Sequence, residues 1–293
     1  MNPTSIIVPS FLKPGDGICL ATPARFVTEE QVHRAVQWIE ESGFQAIIPG
    51  GILERSGQFG GDDSHRALQL NDAFRDERAQ AIWAMRGGYG CGRLLPYLDA
   101  KAFRANPKWI IGFSDITALH AWAQKQGVAS LHAPVANTMG LVDGSDRARM
   151  WSILRGEASH EGAPVIGGNL SVLYSLLGTD YFPDTNGSWI LLEDLDEYLY
   201  HIDRMLLAFR LAGVFEGAKG ILMGSFTDLH DNTIADGQSV DNPFGLNIRE
   251  IVEYHCPREL PIVWDVPVGH GPKNEAIALG LGSERILEWK GGI

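Results

Sequence analysis

The stretch W-I-I-G-F-S-D-I-T-A-L-H-A-W-A-Q-K-Q-G, residues 109–127, decides the fold class because it joins a strand directly to a helix. Residues 109–113 are apolar on both faces, which is typical of a central strand in a parallel sheet that helices cover. The segment from Asp115 has a helical pattern. Ser114 lies at the junction, so its hydroxyl is expected above the edge of the sheet.

Short apolar runs alternate with helical patterns through the rest of the first half, which indicates a parallel sheet covered by helices. Further strands are predicted at 17–24, 44–50, 81–85 and 129–135. Helices are predicted after Thr28, which forms a capping box with Gln31, then from Ser64 and around 94–98. We therefore predict a doubly wound, Rossmann-like or flavodoxin-like α/β domain at residues 1–155.

The pattern weakens at 156–168, where glycine, proline and charged residues replace periodic apolar ones, and we predict a linker there. Beyond it come a helix from Asn169, the strand S-W-I-L-L-E, a helix through H-I-D-R-M-L-L-A-F-R-L-A-G, the strand A-K-G-I-L-M-G-S and several short β-like runs. Residues 169–293 are therefore predicted to form a C-terminal α/β domain with a small β-rich, barrel-like sheet.

The composition is that of a folded protein without a nucleic-acid partner. Of the 293 residues, 45% are hydrophobic and 20% are charged, which excludes a disordered chain. The formal net charge is -12, whereas binding to nucleic acid or to an anionic membrane requires clustered Lys and Arg. No signal-peptide pattern and no apolar run of about 18 residues is present, so we expect a cytoplasmic protein without membrane contact.

The cysteines also favour a reducing compartment. Cys19, Cys91 and Cys256 are odd in number and widely separated, which is typical of free thiols rather than disulfides. The chain contains neither a C-x-x-C nor an H-E-x-x-H pair. We therefore expect no structural or catalytic zinc.

Ser114 is the candidate nucleophile. A serine between a buried strand and a helix projects its hydroxyl above the sheet, where the first free N–H groups of the helix stabilise negative charge. The sequence G-F-S-D-I lacks the second glycine of the G-x-S-x-G motif, however, since Ile116 stands in its place. From the local sequence alone, a plain helix N-cap explains Ser114 as well.

The glycine-rich turn R-G-G-Y-G-C-G-R, residues 86–93, also follows a strand and is expected at the same edge of the sheet as Ser114. Backbone N–H groups of glycines are unscreened, which suits an oxyanion hole. A dinucleotide loop is not supported, because Arg93 stands where the third glycine of G-x-G-x-x-G belongs. The alternative interpretation is a tight turn that binds no ligand.

Glu193 and His270 are candidates for orienting and performing proton transfer. Glu193 follows the apolar run at 189–192, and it either turns to solvent, pairs with a cation such as Arg204, or orients an imidazole. His270 lies between two glycines, which present its ring to a cleft with little hindrance, although a surface loop is the alternative. His120, on the helix after Ser114, is expected to point away from the helix N-terminus.

Taken together, seven segments resemble the LD-carboxypeptidase family of serine peptidases, which includes muramoyltetrapeptide carboxypeptidases and microcin C immunity peptidases. The segments are 84–95, 112–119, 167–170, 191–194, 200–206, 221–226 and 269–271. They occur in the family's order over nearly the whole chain. The departures are Leu199, where a proline is common, and Cys91, at a variable place in the glycine turn.

The resemblance implies a catalytic triad of Ser114, Glu193 and His270. It also implies an oxyanion hole formed by the N–H of Asp115 and the Gly87-Gly88 turn, with no cofactor or metal. The expected substrate is a cytoplasmic murein tetrapeptide, which loses its terminal D-alanine during cell-wall recycling, and the expected assembly is a homodimer.

Three questions stay open at this stage. Arg86 and Arg93 are candidates for holding the substrate's carboxylates, but salt bridges within the fold explain them equally well. A microcin C-type immunity peptidase that cleaves aminoacyl-adenylate analogues is the nearest alternative. An alternative from another class is a non-catalytic ligand-binding protein whose glycine turn holds an anion.

Overall fold

The computed structural model describes residues 6–291 and begins with a parallel sheet. Its strands are β1 (Gly17–Ala21), β2 (Gln45–Ile47), β3 (Ala79–Ala84), β4 (Trp109–Gly112) and β5 (Ser130–His132). The helices of this half are α1 (Glu29–Glu41), α2 (Asp63–Arg75), α3 (Ala100–Ala105), α4 (Thr117–Lys125) and α5 (Gly144–Leu154). The strands run parallel to one another, as the sequence predicted.

The second half contains a parallel sheet of its own. Its strands are β6 (Val165–Asn169), β7 (Trp189–Leu195), β8 (Gly220–Thr227) and β9 (Ile262–Val263). The helices are α6 (Leu170–Leu176), α7 (Leu199–Leu211) and α8 (Ile248–His255). The strands pair in the linear order β6-β7-β8-β9, which refines the expected barrel-like sheet to a four-stranded parallel one. The predicted α/β fold class is confirmed.

The end of the chain returns to the first sheet. Strand β10 (Ile277–Leu279) pairs antiparallel with β5, and α9 (Arg285–Gly291) follows it. Within residues 6–291, the first sheet therefore has six strands in the order β10-β5-β4-β3-β1-β2. The segment between β9 and β10 must cross from one sheet to the other, and it carries His270.

Helix α1 begins with the capping box that the sequence predicted. The side chain of Thr28 accepts a hydrogen bond from the N–H of Gln31, whose side chain accepts one from the N–H of Thr28. Val32, Ala35 and Ile39 form the buried face of α1. These contacts satisfy backbone donors that the helix leaves free and bury one apolar stripe.

Three regions differ from the prediction. Residues 165–168, assigned to the linker, form most of β6, because this short, glycine-containing run is buried beside β7. The helix expected around 94–98 is a 3-10 turn at Leu95–Tyr97. The C-terminal region expected to hold only short β-like runs contains α8 and α9.

A buried apolar cluster holds the two halves together. It joins Val165, Leu191 and Leu222 of the second sheet to Ile277 and Leu279 of β10. Burying such a side chain contributes about 1.5 to 3 kcal/mol. The cluster therefore fixes the loop before β10 against both sheets. Within residues 6–291, no helix is both long enough and apolar enough to span a membrane.

Candidate active site

Ser114 follows β4 directly and has a left-handed backbone conformation. Its φ of 63° is uncommon for a residue other than glycine and is often found at functional sites. Its side chain caps neither the 3-10 turn at Ser114–Ile116 nor α4, whose N-cap residues are Phe113 and Ile116. The N-cap explanation for Ser114 is therefore wrong, and the half-buried hydroxyl is left for another role.

The glycine turn packs against Ser114. A Cβ atom at Gly87 would lie 3.0 Å from Ser114 Cβ and 3.2 Å from its Oγ, so a larger residue would crowd the hydroxyl. Gly88 has a φ of 117°, which favours glycine. For the backbone N–H groups of Gly87, Gly88 and Asp115, no acceptor lies among residues 6–291. These three donors are therefore free to bind another group.

A buried carboxylate joins the glycine turn to the turn at Ser114. The side chain of Asp115 accepts a hydrogen bond of 2.8 Å from the backbone N–H of Cys91. Burial raises the pKa of Asp115, and the positive charges of Arg66 and Arg25 act in the opposite direction. From the sequence only the backbone of Asp115 was expected to have a role, whereas its side chain also joins the two turns.

Glu193 and His270 form a hydrogen-bonded pair. The Nδ1–H of His270 donates to Glu193 Oε2 at 2.6 Å, which leaves Nε2 as the ring atom able to accept a proton. Glu193 is fully buried, and its Oε1 has no partner within the described part of the chain. The pairing of β7 with β8 shifts register between Leu192 and Asp194, and such irregularities re-aim a side chain. Glu193 thus turns neither to solvent nor to Arg204.

The ring of His270 lies beside the residue that precedes Ser114. Its centroid is 4.7 Å from that of the Phe113 ring, so the structure brings the imidazole to the end of β4. No hydrogen bond joins Ser114 to His270, although both lie within the described residues. Hydrogen bonds between a nucleophile and its base often tighten only when substrate binds.

The loop that carries His270 is held from both sides. The hydroxyl of Ser225, on β8, accepts from the N–H of Gly271 at 2.9 Å and donates to the carbonyl of Val268 at 3.3 Å. The side chain of Asn274 accepts from the N–H of Gly269 at 3.0 Å. Neither Ser225 nor Asn274 was singled out from the sequence, because their partners lie far away in the chain or within an irregular loop.

The charges around His270 oppose the effect of its burial. Burial of the ring lowers its pKa, but the hydrogen bond that the ring donates to Glu193 and the charges of Glu193 and Asp194 raise it, so that overall the pKa of His270 is raised from the usual value of a histidine. Asp194 is itself buried, and burial together with the charge of Glu193 raises its pKa to about 7. Two adjacent acids therefore stabilise a cationic imidazole.

Three other candidate residues, His120, Arg93 and Arg86, differ in what they contact. His120 is buried and bonded to Ser130 and to the carbonyl of Gly112, as expected for a residue that does not face the site. Arg93 binds both carboxylate oxygens of Asp63, so a salt bridge explains it. Arg86 forms no ion pair within residues 6–291.

Two family models match most of the chain. A model described as the LD-carboxypeptidase N-terminal domain matches residues 18–133, and a model described as the LD-carboxypeptidase C-terminal domain matches residues 162–284. The chain is also 29% identical to the murein tetrapeptide carboxypeptidase of Pseudomonas aeruginosa, over 92% of each sequence.

Two solved structures share the fold. The muramoyltetrapeptide carboxypeptidase from Oxalobacter formigenes superimposes with a TM-score of 0.78 at 23% identity, over 90% of this chain and 92% of that one. A microcin C7 self-immunity protein, solved with adenosine monophosphate, also gives a TM-score of 0.78, at 20% identity over 94% of each chain. The fold of the chain is therefore shared with both of these solved structures.

We predict that Gly269→Ala destabilises the protein more than a matched glycine substitution. Gly269 has a φ of 117°, and a Cβ there would lie 2.6 Å from Ser225 Oγ and 2.8 Å from Glu193 Cβ. Strain and overpacking together should lower the free energy of unfolding by about 2 to 5 kcal/mol. Urea denaturation measures it.

Gly178→Ala is the control, because Gly178 has a φ of 78° and open space around its Cβ position. It should lose only about 1 to 2 kcal/mol from backbone strain. Equal losses in the two variants would show that Gly269 does not pack tightly between Ser225 and Glu193.

Proposed function

The chain belongs to the LD-carboxypeptidase family, and we propose that it is a serine carboxypeptidase that releases the terminal D-alanine of murein tetrapeptides. The observation that carries this proposal is the hydrogen bond of 2.6 Å between the partly buried His270 and the buried Glu193, beside the turn that bears Ser114. The pair provides a base with a fixed tautomer next to a candidate nucleophile. The scissile bond is the amide between an L-centre and D-alanine.

In the proposed mechanism, Nε2 of His270 accepts the proton of Ser114 while Oγ attacks the carbonyl carbon of the scissile amide. Glu193 stabilises the imidazolium that results, which its position on Nδ1 supports. The imidazolium then donates the proton to the leaving amine, and D-alanine departs. Water, activated by the same imidazole, hydrolyses the acyl-enzyme and regenerates Ser114.

The tetrahedral intermediates carry a negatively charged oxygen, which is stabilised by hydrogen-bond donors that are already positioned before the reaction. The N–H groups of Asp115, Gly87 and Gly88 have no acceptor among the described residues; Asp115 follows Ser114 directly, and Gly87, which precedes Gly88, packs against Ser114. We assign them to the oxyanion hole. Removing one such donor typically costs about 10² to 10³ in kcat.

The proposal extends to the setting of the reaction. We propose a cytoplasmic homodimer that acts on peptides returned from the cell wall. The buried free thiols of Cys19, Cys91 and Cys256 support a reducing compartment. The substrate follows from the name of the Pseudomonas aeruginosa relative, which covers the chain nearly end to end.

We predict that the wild-type protein removes one alanine from a purified murein tetrapeptide, as mass spectrometry of the peptide would record. Ser114→Ala should lower kcat by roughly 10³ to 10⁶-fold, because no other group replaces the nucleophile. Ser175→Ala is the matched control, since its exposed hydroxyl donates only to the carbonyl of Val172.

The same assay distinguishes the alternatives. Cleavage of an aminoacyl-sulfamoyl adenosine in place of the tetrapeptide would favour the microcin-type activity. The microcin C7 self-immunity protein superimposes on this chain with the same TM-score, 0.78, as the muramoyltetrapeptide carboxypeptidase. Loss of neither compound would favour a ligand-binding protein without catalysis. Near wild-type turnover by the Ser114 variant would remove Ser114 from the mechanism.

We predict an acidic limb in the pH profile of kcat/KM that depends on Glu193. The base must be neutral, and the pKa of His270 is raised from the usual value of a histidine, so activity should fall as the pH drops through that raised pKa. Glu193→Gln keeps an acceptor but removes the charge. It should move the limb to lower pH and reduce kcat/KM by about 10² to 10⁴-fold.

The control for this variant is Glu197→Gln, because Glu197 pairs with His201 in a similar way at 3.0 Å. Its profile should match that of the wild type. An unchanged acidic limb in the Glu193 variant would contradict the assignment of His270 as the titrating base.

A further inference from the structure

An arginine lies across the glycine turn from Ser114. A Cβ atom at Gly88 would be 2.7 Å from both Cδ and Nε of Arg25, while one at Gly87 would be 3.2 Å from Ser114 Oγ. Consecutive Cα atoms are only about 3.8 Å apart. Two adjacent glycines therefore separate the guanidinium stem of Arg25 from the hydroxyl of Ser114.

The backbone that carries Arg25 is held in place. The N–H of Phe26 donates to the carbonyl of Gln58 at 3.1 Å, and the N–H of Gly60 donates to the carbonyl of Ala24 at 3.0 Å. These bonds flank the antiparallel bridge between Arg25 and Phe59. The main chain is thus fixed at the edge of the site, while the side chain of Arg25 is exposed.

The guanidinium of Arg25 forms neither an ion pair nor a side-chain hydrogen bond among residues 6–291, although its charge acts on the buried Asp115. The nearby Arg66 and Arg93 differ, because both bind the carboxylate of Asp63. The site itself is acidic, with Asp115, Glu193 and Asp194 buried in it. An anionic ligand therefore needs a cation at the mouth of the site, and Arg25 is available.

We propose that the guanidinium of Arg25 binds the terminal carboxylate of the substrate, an inference that rests on the proposed carboxypeptidase activity. In a peptide that loses its last residue, the terminal carboxylate carbon lies one residue beyond the attacked carbonyl carbon, and only three bonds, through the amide nitrogen and Cα, separate the two carbons; they are about 3 to 4 Å apart. The group that binds it must therefore lie close to the nucleophile, as Arg25 does. Arginine presents parallel N–H donors that match a carboxylate.

This contact explains why the enzyme would cleave the bond to the last residue of a peptide and not an internal bond. A peptide with a terminal amide or a further residue places no carboxylate at Arg25. Because the carboxylate is unchanged by the reaction, Arg25 should contribute mainly to substrate binding and so to KM. It is a specificity-determining residue for the terminal position.

The test is a cycle of two enzymes and two substrates. kcat/KM is measured for the wild type and for Arg25→Gln, each with the murein tetrapeptide and with the same peptide ending in D-alaninamide. The wild type should prefer the acid by roughly 10- to 100-fold, and Arg25→Gln should lose that preference through a higher KM for the acid alone. Arg25→Lys should retain part of it.

Arg34→Gln is the control, because Arg34 is exposed on α1 and pairs only with Glu30. It should keep the wild-type preference. If Arg25→Gln lowers kcat/KM equally for the acid and the amide peptide, the proposal is overturned. It is also overturned if the preference for the acid peptide persists in Arg25→Gln but disappears in Arg86→Gln. Failure of the wild type to cleave either peptide would instead overturn the proposed function.

Discussion

A fully buried carboxylate requires a hydrogen-bonding or cationic partner. The structure of this site depends on the partner of the buried Glu193 carboxylate. An unpaired buried charge is costly, so the side chain is stable there only with a donor or cation beside it. His270 is that partner, at 2.6 Å. The contacts of the loop around His270 keep these two groups together. Its backbone is hydrogen-bonded to Ser225 and Asn274, and Gly269 packs closely against Glu193.

The path of the chain places this pair at the end of β4. The second sheet supplies Glu193, and the return of the chain to β10 of the first sheet draws the loop past Phe113. Apolar contacts between β10 and the second sheet fix the two halves relative to each other. The proposed triad is therefore a product of the contact between two sheets, neither of which contains all its members.

Much of the first half was predictable because its contacts are local or repeat along the chain. The strand at β4, the capping box of Thr28 and the free cysteines were all read correctly from short patterns. Glu193 and His270 are 77 positions apart, so their pairing could be expected only from resemblance to a family, and their catalytic roles remain predictions. The strand β10 and the position of Arg25 were missed, because each depends on a partner distant in sequence. Helix α8 was missed although Asn247 and Glu250 form a capping box, since the helix is only eight residues long.

The central claim is that Ser114 and His270 act as one catalytic unit, and a kinetic double-mutant cycle tests it most directly. kcat/KM for the murein tetrapeptide is compared among the wild type, Ser114→Ala, His270→Ala and the variant that combines both. Each single substitution should lower the rate by about 10³-fold or more, and the double substitution should lower it no further, because residues that act as a unit are lost together. Losses that multiply in the double variant, or near wild-type activity in the His270 variant, would contradict the account.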